Sequence, residues 1–420
     1  MAGGDSVIVI GAGFVGLNVA HALLERGLAV TLIYPGAEAG RPSEGNAGWI
    51  AHTDILPLAS PKVWRHLPRW LADPLGPLTI RPAYAPRIAP WMARFIAASR
   101  PSRIEASIAA IRAIQAESLP AWRRRMEPLG LAHHLRERGN LTVFTHARHL
   151  DEARTMLERQ RQFGIALEVL DRPALSRLEP ALGPRVLGGV LYPEGCHVSD
   201  PRLLLADLHV TAIGRGVDEV TGRAVKVTAT DTGAEVVTDR GETVSAPWLV
   251  IAAGAWSRPL SAQLGDRIPL DTERGYNATF PPGRFGLTRP VTFEGHGFVT
   301  TPLDSGDRIG GAVEFAGLTA APNYKRASTM LAKLRTLLPD ALVPDQDARM
   351  WMGFRPSIPD SLPVIGPSRR APRVLYAFGH GHYGLTQSAV TGEIIADLIA
   401  GAEPRVAVTP FRASRFAIAG

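Results

Sequence analysis

Ser6-Val7-Ile8-Val9-Ile10-Gly11-Ala12-Gly13-Phe14-Val15-Gly16 decides the fold of this chain. Ser6 to Ile10 reads as a strand buried on both faces, because its apolar residues run on without alternation. A glycine turn follows at once. Val15, Val19, Leu23 and Leu24 then recur at helical spacing, Gly27 stands where a helix C′ glycine belongs, and Ala29 to Tyr34 reads as a second strand. In this strand–turn–helix context Gly11, Gly13 and Gly16 match the dinucleotide fingerprint. Gly11 makes the tight turn, Gly13 lets the backbone approach a pyrophosphate, and Gly16 lets helix and strand pack closely. Phe14 and Val15 open a helix whose free N–H groups and positive dipole end face the phosphates.

A similar pattern closes the chain. Gly379-His380-Gly381-His382-Tyr383-Gly384 lies between a strand at Val374 to Phe378 and a helix from Thr386 to Ala400. It reads either as a second nucleotide site for NAD(P)H or as a helix N-terminus aimed at a flavin. Too little chain follows for a second complete doubly wound domain, which favours the flavin. Pro247 to Ala253 is another buried strand, ending in Gly254-Ala255-Trp256. Between these pieces lie a helix at 104–127, a strand near Leu141 to Phe144, a helix at 150–163, antiparallel strands from Val225 to Thr238, a strand-rich region at 268–316 and a helix at 327–338. The expected division assigns 1–55, 150–262 and 352–420 to the nucleotide-binding domain and 56–149 and 263–351 to a second domain.

Trp351-Met352-Gly353-Phe354-Arg355-Pro356-Ser357-Ile358-Pro359 holds one arginine between a glycine and two prolines. A guanidinium so confined suits a carboxylate, to which its planar fork donates two parallel hydrogen bonds. An ordinary ion pair is the alternative reading of Arg355.

Bulk properties narrow the class. The 420 residues exceed one typical core, and 45% hydrophobic with 20% charged residues is a globular composition. Cys196 is the only cysteine, so disulfide frameworks and Cys-rich metal sites are excluded. No apolar run long enough to span a bilayer is seen, nor a signal peptide, and a cytoplasmic protein is expected. The net charge is +7, yet no basic run interleaved with aromatics suggests nucleic acid. Arg123-Arg124-Arg125 reads as a solvated helix face, and His133-His134 as surface residues. No His/Asp/Glu set has metal-ligand spacing. The Pro/Trp/Arg-rich segment 56–95 reads as an insertion over the active site, with peripheral membrane contact as the alternative.

Ile8 to Gly16, Gly45-Asn46-Ala47-Gly48, Ala252 to Trp256, Trp351 to Gly366 and Phe378 to Thr386 together resemble the D-amino-acid dehydrogenase branch of the D-amino-acid oxidase superfamily, in the family order and across nearly the whole chain. Leu71 to Leu78, Asp271 to Tyr276 and Glu314 to Asn323 are similar to the glyphosate oxidoreductase group within that branch. The resemblance implies an α/β fold: a discontinuous, Rossmann-like FAD-binding domain and a substrate domain on a mostly antiparallel sheet. It implies FAD held by Gly11, Gly13 and Gly16, with Asn46 and Ala47 near the ring, and Ala253, Gly254, Trp256 and Gly353 along the cofactor. Gly379, His380, Gly381, Gly384, Leu385 and Thr386 are implied at the pyrimidine edge, and Val225 is the candidate for reading adenine through its backbone. Tyr34 stands where the family has an acidic ribose ligand. Arg355 matches the arginine that grips the substrate carboxylate, and Tyr276 a tyrosine that shares it or covers the ligand. His382 is a candidate substrate or flavin contact, His380 a local hydrogen-bond partner, and His52 a weaker pocket candidate.

The implied reaction is hydride transfer from the α-carbon of a small amino acid or secondary amine to flavin N5, giving an imine that hydrolyses to an oxo acid or aldehyde plus an amine. The electron acceptor is quinone or oxygen. None of Lys62, Lys226, Lys325 and Lys333 falls in a flavin motif, which tilts the reading toward a dehydrogenase over an oxygen-using glycine or sarcosine oxidase. An NAD(P)H-dependent flavin reductase and a non-catalytic FAD-binding module are the remaining rivals.

Overall fold

The computed structural model describes residues 6–36, 41–59, 76, 78–339 and 347–417. Its smaller sheet contains β1 (Ser6–Ile10), β2 (Ala29–Tyr34), β10 (Asp218–Thr221), β14 (Trp248–Ile251), β20 (Val364–Pro367) and β21 (Val374–Phe378), in the order β10-β2-β1-β14-β21-β20. All neighbours are parallel except the β20–β21 pair. The period of two along β1 explains its unbroken apolar run. Val7 and Val9 join the core built with the helices Phe14–Glu25, Pro101–Met126 and Gly384–Ile399, while Ile8 and Ile10 join the opposite core under a three-stranded meander. The meander is β11 (Ala224–Ala229), β12 (Ala234–Thr238) and β13 (Thr243–Ala246). Both faces of the strand are therefore dry.

The larger sheet has the order β19-β15-β18-β17-β16-β6-β8-β7, with β4 paired to β18. Its strands are β4 (Leu78–Ile80), β6 (Asn140–Phe144), β7 (Glu168–Asp171), β8 (Gly188–Tyr192), β15 (Asp271–Thr279), β16 (Val291–Phe293), β17 (Phe298–Leu303), β18 (Gly306–Phe315) and β19 (Arg349–Ser357). Most pairs are antiparallel; β16–β6 and β18–β4 are parallel. Helix Lys325–Arg335 covers one face through Ala327, Met330, Leu331 and Leu334. A small fourth sheet, β3 (Trp49–Ile50), β5 (Leu135–Arg136) and β9 (Cys196–Val198), completes the strands.

The expected division of the chain needs three corrections. Residues 168–192 were assigned to the nucleotide domain, but β7 and β8 extend the larger sheet because β8 pairs with β6. Helix Pro101–Met126 was assigned to the substrate domain, but Ile111, Ile114, Trp122 and Met126 enter the core of the smaller sheet. β19 straddles the boundary placed at 352 and is an edge strand of the larger sheet, so Arg355 projects from the substrate side.

Two surface assignments also change. Arg125 is only 2% exposed, since its position turns inward to pair with Glu25, whereas Arg123 and Arg124 pair at the surface with Glu137 and Glu393. His134 is 3% exposed and hydrogen-bonds to Ser199 and Asp207. His133, His134 and Asp207 bring their ligand atoms within 4.8 Å, the one such group among the described residues. Both ring nitrogens of His134 already have protein partners there.

In segment 56–95, the helix Ala85–Ala98 spends Ile88, Trp91 and Phe95 on Phe315 of the larger sheet. Residues 60–75 and 77, including most of the Leu71 to Leu78 motif, lie outside the described residues. No described helix is long and apolar enough to cross a membrane.

Candidate active site

Two adjoining cavities meet between the sheets. The first, ≈ 410 Å³, runs over the C-terminal ends of β1, β2 and β14. Tyr34, Arg41 and Gly222 to Val225 stand at one end, Gly11 to Val15 in the middle, and Trp256, Gly379 to Gly381, Gly384 and Leu385 at the other. Ala253 and Gly254 also border it. Gly11 has φ +113°, and a Cβ there would come 2.5 Å from the Ala252 carbonyl oxygen. Gly16 lies behind the cradle: its added Cβ would fall 1.7 Å from the Gly11 carbonyl oxygen, which is the close helix–strand packing read from the motif.

Two helices begin at this cavity without a side-chain cap at their N-cap residues, Gly13 and Tyr383. The Phe14 N–H has only a long contact, 3.4 Å, to Ser43 Oγ. These orphaned donors make two anion-attracting sites along one groove. His380 is buried with Nε2 at 3.0 Å from Thr391 Oγ1, and burial lowers its pKa to about 3. It is therefore a neutral local partner.

Val225 sits in a β-bulge between Ala224 and Lys226, which releases its backbone from the ladder. Its carbonyl accepts from Gln263 Nε2 at 3.1 Å. Tyr34 borders the cavity, with Glu219 beside its hydroxyl; burial and that carboxylate raise its pKa. Thr386 departs from the implied role. It does not border the cavity, and its hydroxyl instead accepts from the Ala51 N–H at 3.0 Å because the residue is turned into the core.

The second cavity, ≈ 640 Å³, shares Pro42, Asn46, Phe354 and Arg355 with the first. Ala47, Gly353, His382 and Tyr383 border it alone. Arg355 donates to the Ala312 carbonyl at 2.9 Å and, more weakly, to Gly311 at 3.4 Å. Its guanidinium lies over Gly275, where an added Cβ would come 2.3 Å from Nη2. These contacts leave N–H donors over for a ligand.

Glu273 is paired with Arg355 across β15 and β19, so the two share a face. Its Oε2 lies 2.8 Å from His382 Nε2. Burial alone would raise the Glu273 pKa, but His382 and Arg355 outweigh it and hold the carboxyl below its ordinary value. Burial also lowers the Arg355 pKa, opposed by Glu273.

Tyr276 is a second departure. Alternation along β15 puts Glu273, Gly275 and Asn277 on the Arg355 face and sends Tyr276 to the other. Although Tyr276 borders the larger cavity, its hydroxyl donates to Glu314 at 2.6 Å and accepts from the Asn323 N–H at 3.0 Å. The hydroxyl is thus committed away from Arg355. His52 borders neither cavity and contacts the Ile50 carbonyl at 3.2 Å through Nδ1. Glu273, Gly275, Ser43 and the acidic residues Asp54 and Glu294 went unread in the sequence; the alternation of odd positions through 273–277 was the signal for the first two.

The chain matches the family described as DAO, FAD dependent oxidoreductase, over residues 6–398. It is 36% identical to a D-amino-acid oxidase of Bradyrhizobium diazoefficiens, over 98% of this chain and 99% of that one. It is 30% identical to a D-amino acid dehydrogenase of Rhizobium johnstonii, with the same coverage of each. Its fold is shared with glycine oxidase from Geobacillus kaustophilus, with TM-score 0.77 and 20% identity over 99% of this chain and 100% of that one. The L-amino acid deaminase of Proteus vulgaris shares it too, with TM-score 0.73 and 17% identity over 99% and 98%.

FAD fits the first cavity on this chain's own features: a turn at Gly11 and Gly16 too tight for any Cβ, two helix N-termini without side-chain caps, and a strand backbone released by the bulge at Val225. The chain belongs to the DAO family of FAD-dependent oxidoreductases.

Proposed function

We propose that this chain oxidatively deaminates a small α-amino acid of D configuration, with Arg355 clamping the carboxylate. The position of Arg355, bordering both cavities at once, carries the reading. A carboxylate held there leaves the α-carbon at the passage between substrate and cofactor. Fixing one reactant so closely supplies much of the rate enhancement.

When bound, FAD accepts the electron pair as a hydride and passes it to an external acceptor. The substrate amine must be neutral for its lone pair to drive departure of the hydride, and burial beside the Arg355 cation favours the neutral form. The substrate loses the α-hydrogen with its electron pair and one proton from nitrogen, becoming an imine; water then gives the oxo acid and ammonia. Trp91, Phe95, Phe298 and Phe315 border the larger cavity and limit bulk water, which strengthens the Arg355–carboxylate contact.

D configuration is supported by the names of the two relatives, D-amino-acid oxidase and D-amino acid dehydrogenase. Those names divide on the acceptor. We favour a dehydrogenase, since none of Lys226, Lys325 and Lys333 borders either cavity; the oxidase name of the 36%-identical relative supports the second reading, oxygen as acceptor. Anaerobic mixing with D- and L-amino acids tests the function. Loss of the yellow colour with D-amino acids is the expected outcome, and a flavin that no amine reduces would contradict it. Hydrogen peroxide yield against dye reduction separates the acceptors.

A further inference from the structure

An α-amino acid arrives with its amine as an ammonium ion, and one proton must go before the α-hydrogen can leave with its electron pair. The larger cavity holds a group placed to take that proton. Glu273 and Arg355 stand opposite each other on β15 and β19, about 5 Å apart at Cβ on one face of the sheet. Glu273 Oε2 lies 2.8 Å from His382 Nε2, so the imidazole stands one carboxylate away from the guanidinium, and all three residues border the cavity. The Glu273 side chain is 4% exposed and that of His382 34%, so one end of the pair is withdrawn from water and the other is open to it. His382 and Arg355 hold the Glu273 carboxyl below its ordinary value. An ionised carboxylate only accepts, so a neutral His382 donates to it through Nε2 and keeps its lone pair on Nδ1. The bond to Glu273 is the one side-chain hydrogen bond of His382 among the described residues.

We propose that His382 is the catalytic base that takes the ammonium proton of the substrate, and that Glu273 is a positioning residue that fixes its tautomer and pairs with the imidazolium. The inference rests on the reading of Arg355 as the carboxylate clamp. A carboxylate on Arg355 sets the ammonium one carbon away, in the same cavity as His382. One N–H bond breaks toward Nδ1 and its electron pair stays on the amine. The α-hydrogen then leaves as hydride to FAD, and the substrate becomes an iminium ion. The proton later passes from His382 to water on its open side. This transfer creates no net charge: Arg355 stays matched to the substrate carboxylate, and the new imidazolium is matched to Glu273. Without Glu273 the imidazolium would stand unpaired near the Arg355 cation. The titratable neighbours keep one charge state between about pH 7 and 10. Burial and Asp54 raise Tyr383, next to His382, well above its ordinary value, and burial with Glu294 nearby raises Asp54 only to about 6. His380, on the same turn, is lowered to about 3 by burial.

The test follows anaerobic bleaching of the holoenzyme by saturating D-alanine. In His382→Asn the limiting rate should fall at least a hundredfold at pH 7. That deficit should shrink at least tenfold at pH 10, where the substrate arrives with its amine already neutral. Glu273→Gln should show the same pattern with a smaller deficit, at least tenfold at pH 7; a rate equal to that of the unaltered protein removes its positioning role. A merely structural role gives a deficit of one size at both pH values. Equal rates for His382→Asn and the unaltered protein at pH 7, or a deficit that pH does not change, overturns the inference. FAD content and circular dichroism show whether each variant is folded. If neither holds FAD, the unaltered holoenzyme decides: its limiting rate should fall as pH is lowered from about 8 to 5, because a protonated imidazole accepts no proton, and a flat profile overturns the inference. Failure of the clamp reading looks different: Arg355→Met would then leave the D-alanine concentration for half-maximal bleaching unchanged. If D-alanine bleaches the flavin equally with and without His382, this inference alone falls; if no D-amino acid bleaches it at any pH, the proposed function falls too.

Discussion

At the scale of single residues, the site turns on a cation kept in place by a glycine and a carboxylate. Arg355 reaches the passage between the cavities only because Gly275 presents no side chain under its guanidinium. Gly275→Ala should displace the guanidinium and raise KM roughly tenfold or more, a cost of about 1–3 kcal/mol for overpacking, while FAD stays bound. Steady-state kinetics with a flavin-to-protein ratio checks this. Glu273 gives a pH prediction. Its carboxyl is held below its ordinary value by His382 and Arg355. A depressed pKa means that its contribution to stability is complete above the unfolded value, about 4.3, and is lost as pH falls through the folded one. The fall in Tm between about pH 5 and 3 should therefore be shallower in Glu273→Gln, and an unchanged slope would remove Glu273 from the acid response. Arg355 stands out in the sequence because Gly353 and Pro356 confine it, and the structure sets it between the two cavities. Tyr276 departs from the role that the resemblance implies because strand alternation turns it to the face opposite Arg355, where its hydroxyl meets Glu314. Glu273 is invisible without the fold, since its partners lie on β19 and in the loop carrying His382.

At the scale of elements, the opening strand–turn–helix was fully readable. Gly11 and Gly16 each lie against backbone that a methyl group would strike, and the motif is local, so no distant information is needed. Gly16→Ala puts a Cβ 1.7 Å from the Gly11 carbonyl oxygen, backbone that cannot swing aside. It should lower the yield of folded protein and strip FAD, with destabilisation of about 3 kcal/mol or more. Thermal melts with and without added FAD measure it; a protein with normal flavin content and Tm would contradict the cradle. The closing glycine pattern had two readings, and the helix Gly384–Ile399 accounts for it with its uncapped N-terminus at the same cavity as the first. Thr386 lies one step too deep in that helix to take part, a detail of helical phase that residue type cannot give.

At the scale of the whole molecule, domain boundaries were the least readable feature. Helix Pro101–Met126 and strands β7 and β8 ended on the sides opposite to those assigned, because chain order does not report which sheet an element joins. Trp122 illustrates the consequence. It is fully buried in the core of the smaller sheet, and its Nε1 donates to the Leu385 carbonyl at 3.0 Å, bracing the start of the closing helix. Trp122→Ala should cost about 3–5 kcal/mol and weaken FAD binding as well, although the residue borders neither cavity; a Tm loss without any change in FAD affinity would confine it to packing. The two cavities matter only together, since the account requires a carboxylate site within touching distance of the cofactor. Titration of the yellow holoenzyme with benzoate, followed in the visible flavin spectrum, tests that adjacency most directly. The account predicts a saturable spectral shift in the unaltered protein that is abolished or weakened at least a hundredfold in Arg355→Met with equal FAD content. The same affinity and the same shift in both proteins would contradict it.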